Sequence, residues 1–243
     1  MNIGVSDARR ALFHRRQAEA MTTKKQVKSL WSELLARQDD LFLADRFVIL
    51  KPQRHVTRSI SIDRSWDADY PRFCWHIGPA FDPVGGLGGL GQQPIFLERG
   101  KPNRWSQQGF VDTVFDALER RILPMLRGVH DIDDMMQLEG DDFEYMRWLN
   151  HDQPCRIAVL AAQGRFEDVL PIYGTIKDWH LTMTDAWQPR FERASRLGAL
   201  VAAGDRAGVA GLLHQWEEAF VARNRLEPIY EKTPFPCEAG LIV

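Results

Sequence analysis

No stretch of this 243-residue chain is apolar for anything near the ~20 residues that a membrane-spanning helix needs. Its first residues hold no apolar run leading to a small-residue cleavage site, so neither a membrane nor a secretory route is expected. Cysteine is scarce. Cys74, Cys155 and Cys237 are too few and too scattered for a disulfide framework or a thiolate metal cluster, and reduced thiols in the cytoplasm are expected. A basic excess is absent as well: the net charge of -2 argues against a dedicated nucleic-acid binder. The seven histidines never fall two, three or four residues apart, so no helix or strand offers a ready pair of metal ligands. There is no G-x-S-x-G elbow, and no cysteine has the surroundings of a catalytic thiol. No catalytic residue, metal or cofactor is therefore assigned.

What is present is an ordinary globular composition, 44% hydrophobic and 26% charged, with an organising stretch from Phe47 to Leu97. FVILKP, HVTRSISIDRS, RFCWHIGPAF and PIFLER read as strands of an antiparallel sheet, rich in Val, Ile, Phe and Trp and bounded by Pro, Asp and Ser. The second run alternates. His55, Thr57, Ser59, Ser61 and Asp63 share one face, and Val56, Arg58, Ile60, Ile62 and Arg64 the other, which predicts one wet face and one dry face. Between the third and fourth runs, Gly86, Gly88 and Gly91 satisfy G-x-G-x-x-G literally. The dinucleotide motif needs a helix opening at the third glycine, and here Gln-Gln-Pro and a strand follow. Five glycines in seven residues are read instead as a hairpin connection, a flap over the sheet.

Residues 1–23 form a basic leader, and MTTKKQVKSLW from Met21 resembles a natural start. Val27, Leu30, Trp31, Leu34 and Leu35 then predict a helix ahead of the sheet. After the sheet, Phe110, Val114, Phe115, Leu118, Ile122 and Leu126 predict a long helix that Pro124 should kink or end. From Asp131 to Glu144 the chain carries seven carboxylates and no base, without the glycine and glutamate positions of a calcium loop; helix N-termini, which favour acids, account for them. In the last third, Arg156, Leu160, Ala162, Gly164 and Val169 recur as Arg196, Leu200, Ala202, Gly204 and Val209, each 40 residues later. Each copy reads as helix, glycine turn and returning helix. Two copies are too few for a free solenoid, so the pair should pack on the sheet or on itself.

The expected fold is α+β: an antiparallel sheet with flanking helices over 24–130, two helical hairpins over 131–230, and an extended tail over 231–243. Arg58, on the apolar face, must be paired or must line a cavity. One reading makes it an anion ligand helped by Arg54, His55 or Arg64, in a ligand-binding set of His55, Arg58, Asp63 and Arg64; the other gives it a structural partner among Asp45, Asp63 and Asp67, or lets it reach water at a strand end. The acidic residues Asp141, Asp142 and Glu144, with Trp148, are the candidate contacts for a protein partner; most of the eight tryptophans are expected in core or interdomain packing, and any exposed ones would be further anchors. The P-x-R-H-V-x-R-x-x-x-x-D-R-S stretch from Pro52 to Ser65, with the sheet, long helix and Ala-rich hairpins around it, resembles bacterial domains of unknown function. That resemblance implies an accessory or immunity-type role and transfers no catalytic residue. The leading expectation is a cytoplasmic, non-catalytic protein that binds another protein. The alternative is a small-molecule or anion binder, or an enzyme, using the polar sheet face under the flap.

Overall fold

A computed structural model describes residues 22–64, 69–82, 86–88, 92–95, 103–138, 152–182, 184 and 187–239. Helix α1 (Lys24–Arg37) opens on a capping box, in which the Thr23 hydroxyl accepts from Gln26 N–H and the Gln26 side chain accepts from Thr23 N–H. It buries Leu30, Trp31 and Leu34, the stripe its spacing predicts. Five strands follow as an antiparallel meander: β1 (Leu41–Ala44), β2 (Phe47–Leu50), β3 (Val56–Arg64), β4 (Pro71–Pro79) and β5 (Gln92–Pro94). The sequence reading lacks β1. Four residues are too few for an alternation to register, and the strand is set by a two-residue turn in which Asp45 takes a left-handed φ of 53°.

On one sheet face Val56, Ile60, Ile62, Phe73, Trp75 and Ile77 join a core with Trp31 of α1 and Phe115 and Leu118 of the next helix. That helix runs as α2 (Phe110–Ala117), a π-helical turn (Leu118–Ile122) and α3 (Leu123–Arg127). Pro124 can give no N–H to the preceding turn, and its ring presses on that turn's carbonyl; the widened π stretch takes up the misfit, so the helix runs on to Arg127. Short α4 (Ile132–Met136) starts on Asp131, whose carboxylate accepts from Asp134 N–H, while the Asp134 carboxylate accepts from His130 N–H. These two acids are helix-end devices.

The opposite sheet face corrects the expectation of a wet side. Thr57, Ser59 and Ser61 are all buried. In register with them lie Phe47 and Ile49 on β2 and Cys74 and His76 on β4. This face is closed by Leu87 of the glycine-rich connection, by Phe220 and Val221, and by Leu226 and Ile229. Alternation reports which side chains are polar; whether the polar face meets water depends on what the rest of the chain lays over it.

The covering residues come from the helical region. Helices α5 (Gln153–Ala162) and α6 (Phe166–Ile176) form one hairpin, α7 (Gln188–Ala202) and α8 (Arg206–Asn224) the other. Their turns match at an offset of 40. Gly164 and Gly204 have φ of 75° and 69°. Arg165 N–H donates to Leu160 O and Asp205 N–H to Leu200 O; Gly164 N–H donates to Ala161 O and Gly204 N–H to Val201 O. This is glycine-terminated helix capping, twice. The pair packs on the sheet rather than standing as a solenoid. α5, α6, α7 and the first half of α8 share the core of the first sheet face, so the sheet and helical regions have one interior. Beyond α8 the chain runs back along the body: Gln53 N–H donates to Ile229 O and Glu231 N–H to Gln53 O, a parallel bridge, and Phe235 and Cys237 are buried.

Candidate functional site

The polar residues of β3 sit in a filled layer. Ser59 donates its hydroxyl to Leu87 O at 3.1 Å, and Ser61 Oγ lies 2.8 Å from His76 Nε2. Burial lowers the His76 pKa to about 4, against the opposing pull of the Gly88 backbone and the Asp63 carboxylate. His76 is thus a neutral imidazole at pH 7, in hydrogen-bond reach of a serine, which is the pairing a nucleophile and its base require. Ser61 is 1% and His76 2% exposed, with the Phe47 ring 5.6 Å from the imidazole. The open groove of about 560 Å³ bordered by Asp45, Arg46, Gly86, Gly88 and Asn224 lies beyond Phe47 and Leu87, which line its floor.

Arg58 lies on the apolar face, as read, and is buried. Its guanidinium donates to Val129 O at 3.1 Å and to Pro52 O at 2.9 Å, the latter next to the cis Lys51–Pro52 bond. Burial lowers its pKa, with the neighbouring Arg54 adding to the effect. Two carbonyls use the cation to tie the start of β3 to the end of α3. Asp63 pairs with Arg46 at 3.4 Å. Arg64 ends β3, followed by residues outside the description. His55, Arg58 and Asp63 therefore have no partner in common. Asp141, Asp142, Glu144 and Trp148 lie outside the described residues.

His55 belongs to a buried cluster that sequence reasoning missed, because its partners lie some 160 residues away. Glu217, on α8 between the halves that serve the two sheet faces, is 0% exposed. Its carboxylate lies 2.9 Å from His55 Nδ1 and accepts from Tyr230 O–H at 2.9 Å, with His214 Nδ1 at 3.8 Å. Burial, and then the Glu217 charge, raises the Tyr230 pKa. His55 Nε2 faces Thr233 Oγ1 at 3.1 Å and Pro234 O at 3.2 Å, and its ring stacks on Phe235 at 3.9 Å. His214 Nε2 in turn lies 2.7 Å from a Glu238 oxygen that accepts from Phe235 N–H. Glu217 ties His55 to Tyr230, and His55 Nε2 and His214 Nε2 carry the cluster on to the tail. Its chemistry is fastening. Among the described residues no three His, Cys, Asp or Glu side chains are placed to hold a metal.

Among the described residues, Leu181 and Trp187 are the most exposed large apolar side chains. In the connection from α6 to α7, Trp179–Leu181 form a 3-10 turn and Trp187 immediately precedes α7. Leu181 is 72%, Trp187 50% and Trp179 37% exposed. The Trp179 ring rests 5.5 Å from Phe191, and the Arg190 guanidinium lies 5.7 Å from the centre of the Trp187 ring. Arg190 is fixed from behind by Asp152, the N-cap of α5. Among the described residues no helix is long and apolar enough to cross a membrane. Set against known families, curated proteins and solved structures, the chain matches none.

Proposed function

We propose that this chain is a non-catalytic protein that binds another protein through the connection between its two helical hairpins. The observation that carries the reading is the exposure of Trp179 and Leu181 on a 3-10 turn and of Trp187 at the start of α7, the helix whose Phe191 the Trp179 ring meets. Large apolar side chains left in water forgo roughly 25 cal/mol for every Å² they would bury, and tryptophan is the side chain most enriched among interface anchors. The cation of Arg190 beside Trp187 supplies the polar rim such a patch needs. None of the three cysteines forms a disulfide and all are buried, which suits a reducing compartment such as the cytoplasm. An immunity-type role is the case in which the partner is a toxin.

A second reading keeps the sheet face as a small-molecule or catalytic site. It is favoured by the 2.8 Å contact between Ser61 and a neutral His76 beneath the glycine-rich connection. One experiment separates the two. Tagged full chain is used for affinity capture from lysate of its own host, beside the Leu181→Asp/Trp187→Ala double variant and Ser61→Ala. The expected result is a stoichiometric protein, lost with the double variant and kept with Ser61→Ala. Capture undiminished by the double variant, or no protein but a co-purifying small molecule missing from Ser61→Ala, refutes the proposal.

A further inference from the structure

Behind the Arg190 wall of the tryptophan patch lies a cavity of about 30 Å³, where the end of β4, the start of α5, and α7 and α8 meet. Phe81, Leu197 and Trp216 make its apolar side, and Asp82, Arg190 and Arg193 its polar side. Arg193 is the unusual member. Its Nη2 is buried and has no hydrogen-bond partner in the protein. Arg190, by contrast, is bound by Asp152 and lies 3.9 Å from Asp82. Buried donors are almost always satisfied, and one left without an acceptor loses its hydration with nothing to offset it, the more so when charged. Burial dominates the lowering of the Arg193 pKa; Asp82 and the exposed Glu192 oppose it only through space, while Arg190 and Arg223 add to it. A water-sized centre needs ~10–15 Å³, so the cavity holds about two, the number of oxygens in a carboxylate head.

Resting on the protein-binding reading above, we infer that this cavity receives a carboxylate side chain of the partner protein, which accepts from Arg193 while apolar residues beside it cover Trp187 and Leu181. The continuity of the two surfaces supplies the argument for a protein rather than a free acid: Arg190 lines the cavity on one side and packs on Trp187 on the other. Apolar walls strengthen a charge-assisted hydrogen bond made there, so the partner's acid becomes a determinant of specificity.

The test uses full chain labelled with ¹⁵N, read at the tryptophan indole N–H signals, with Trp216 reporting the cavity and Trp187 the patch. The probes are isobutyrate, the capped peptide acetyl-Leu-Glu-Leu-amide and its Gln counterpart, at constant ionic strength with chloride as balance. The Glu peptide is expected to shift both indoles saturably, and its Gln counterpart and the Arg193→Gln variant to bind at least about tenfold more weakly, as for one lost charge-assisted hydrogen bond. Ala158→Leu, which fills the cavity from α5 without altering charge, should block the Trp216 shift even if Arg193→Gln does not fold. Equal binding of the Glu and Gln peptides, or no saturable Trp216 shift, overturns the inference and leaves ordered water in the cavity. A Trp216 shift with isobutyrate but no Trp187 shift with peptide also overturns it, in favour of a free acid. Partner capture that survives Arg193→Gln yet fails with Leu181→Asp/Trp187→Ala removes this inference and leaves the protein-binding reading standing.

Discussion

The two helical hairpins begin from the same sequence pattern and the same turn hydrogen bonds, and the fold treats them in opposite ways. In the first, the returning helix α6 buries only Val169 and Ile176. In the second, α8 buries eight residues, including Trp216, Glu217 and Phe220, and spans both faces of the sheet. The glycines differ in the same sense. A Cβ on Gly164 would stand 3.3 Å from Cys237 Cα, whereas one on Gly204 meets nothing within 4 Å. A repeat dictates local geometry. What is packed against each copy dictates how much depends on it.

The sharpest way to break this contrast is at paired positions 40 residues apart. Glu217→Ala strands His55 and Tyr230 in the interior and is expected to lower stability by about 3–5 kcal/mol in urea unfolding. Its counterpart, the exposed Lys177→Ala, should stay within about 0.5 kcal/mol. Equal losses at the two positions would end the asymmetry.

The layer covered by the second half of α8 carries a pH dependence that α6 has no means to share. With an unfolded pKa of 6.5 and a folded value of about 4, His76 favours the folded state fully above pH 6.5. As pH falls from 6.5 towards 4, only the unfolded chain takes up the proton. Stability should then drop by up to about 3 kcal/mol. Urea midpoints at pH 7 and pH 4.5 check this, and in His76→Phe that part of the slope should vanish.

At the turns, Gly164→Ala meets both an unfavourable φ and the tail, and a loss of about 3 kcal/mol is expected; Gly204→Ala meets only the φ and should lose about 1–2 kcal/mol. Melting temperatures of the two variants give the comparison directly. Smallest of all, Trp187→Ala should move stability by no more than about 0.5 kcal/mol while weakening partner capture, as suits an exposed anchor.

Periodicity carried most of the architecture. The stripe of α1, the alternation of β3 and the two glycine-turned hairpins are local patterns, and each forms where its spacing places it. What escaped notice was non-local. Ser59 and Ser61 read as solvent-facing because Phe220 and Val221, which cover them, come some 160 residues later. Arg58 read as a ligand or as half of an ion pair because backbone carbonyls, the acceptors it uses, leave no trace in a sequence. His55 was legible as a polar residue of interest, but Glu217 and the tail that surround it were not. The exposed Trp187 and the unpartnered Arg193 nitrogen were visible only as members of a tryptophan-rich, arginine-containing helical segment.

The bridge between Gln53 and Tyr230, with Phe235 stacked on His55, has a consequence for how the protein is made. Synthesis delivers β1 to β4 first, whereas the residues that close over His55 and the second sheet face follow only after most of the helical region. Until then a nascent chain presents a sheet with one face packed and the other bare. Termination before Pro234 would leave His55 without its cover on a body otherwise able to assemble. A ribosome-arrested series of increasing length should therefore acquire protease resistance late and abruptly, once the segment through Glu238 has cleared the exit tunnel.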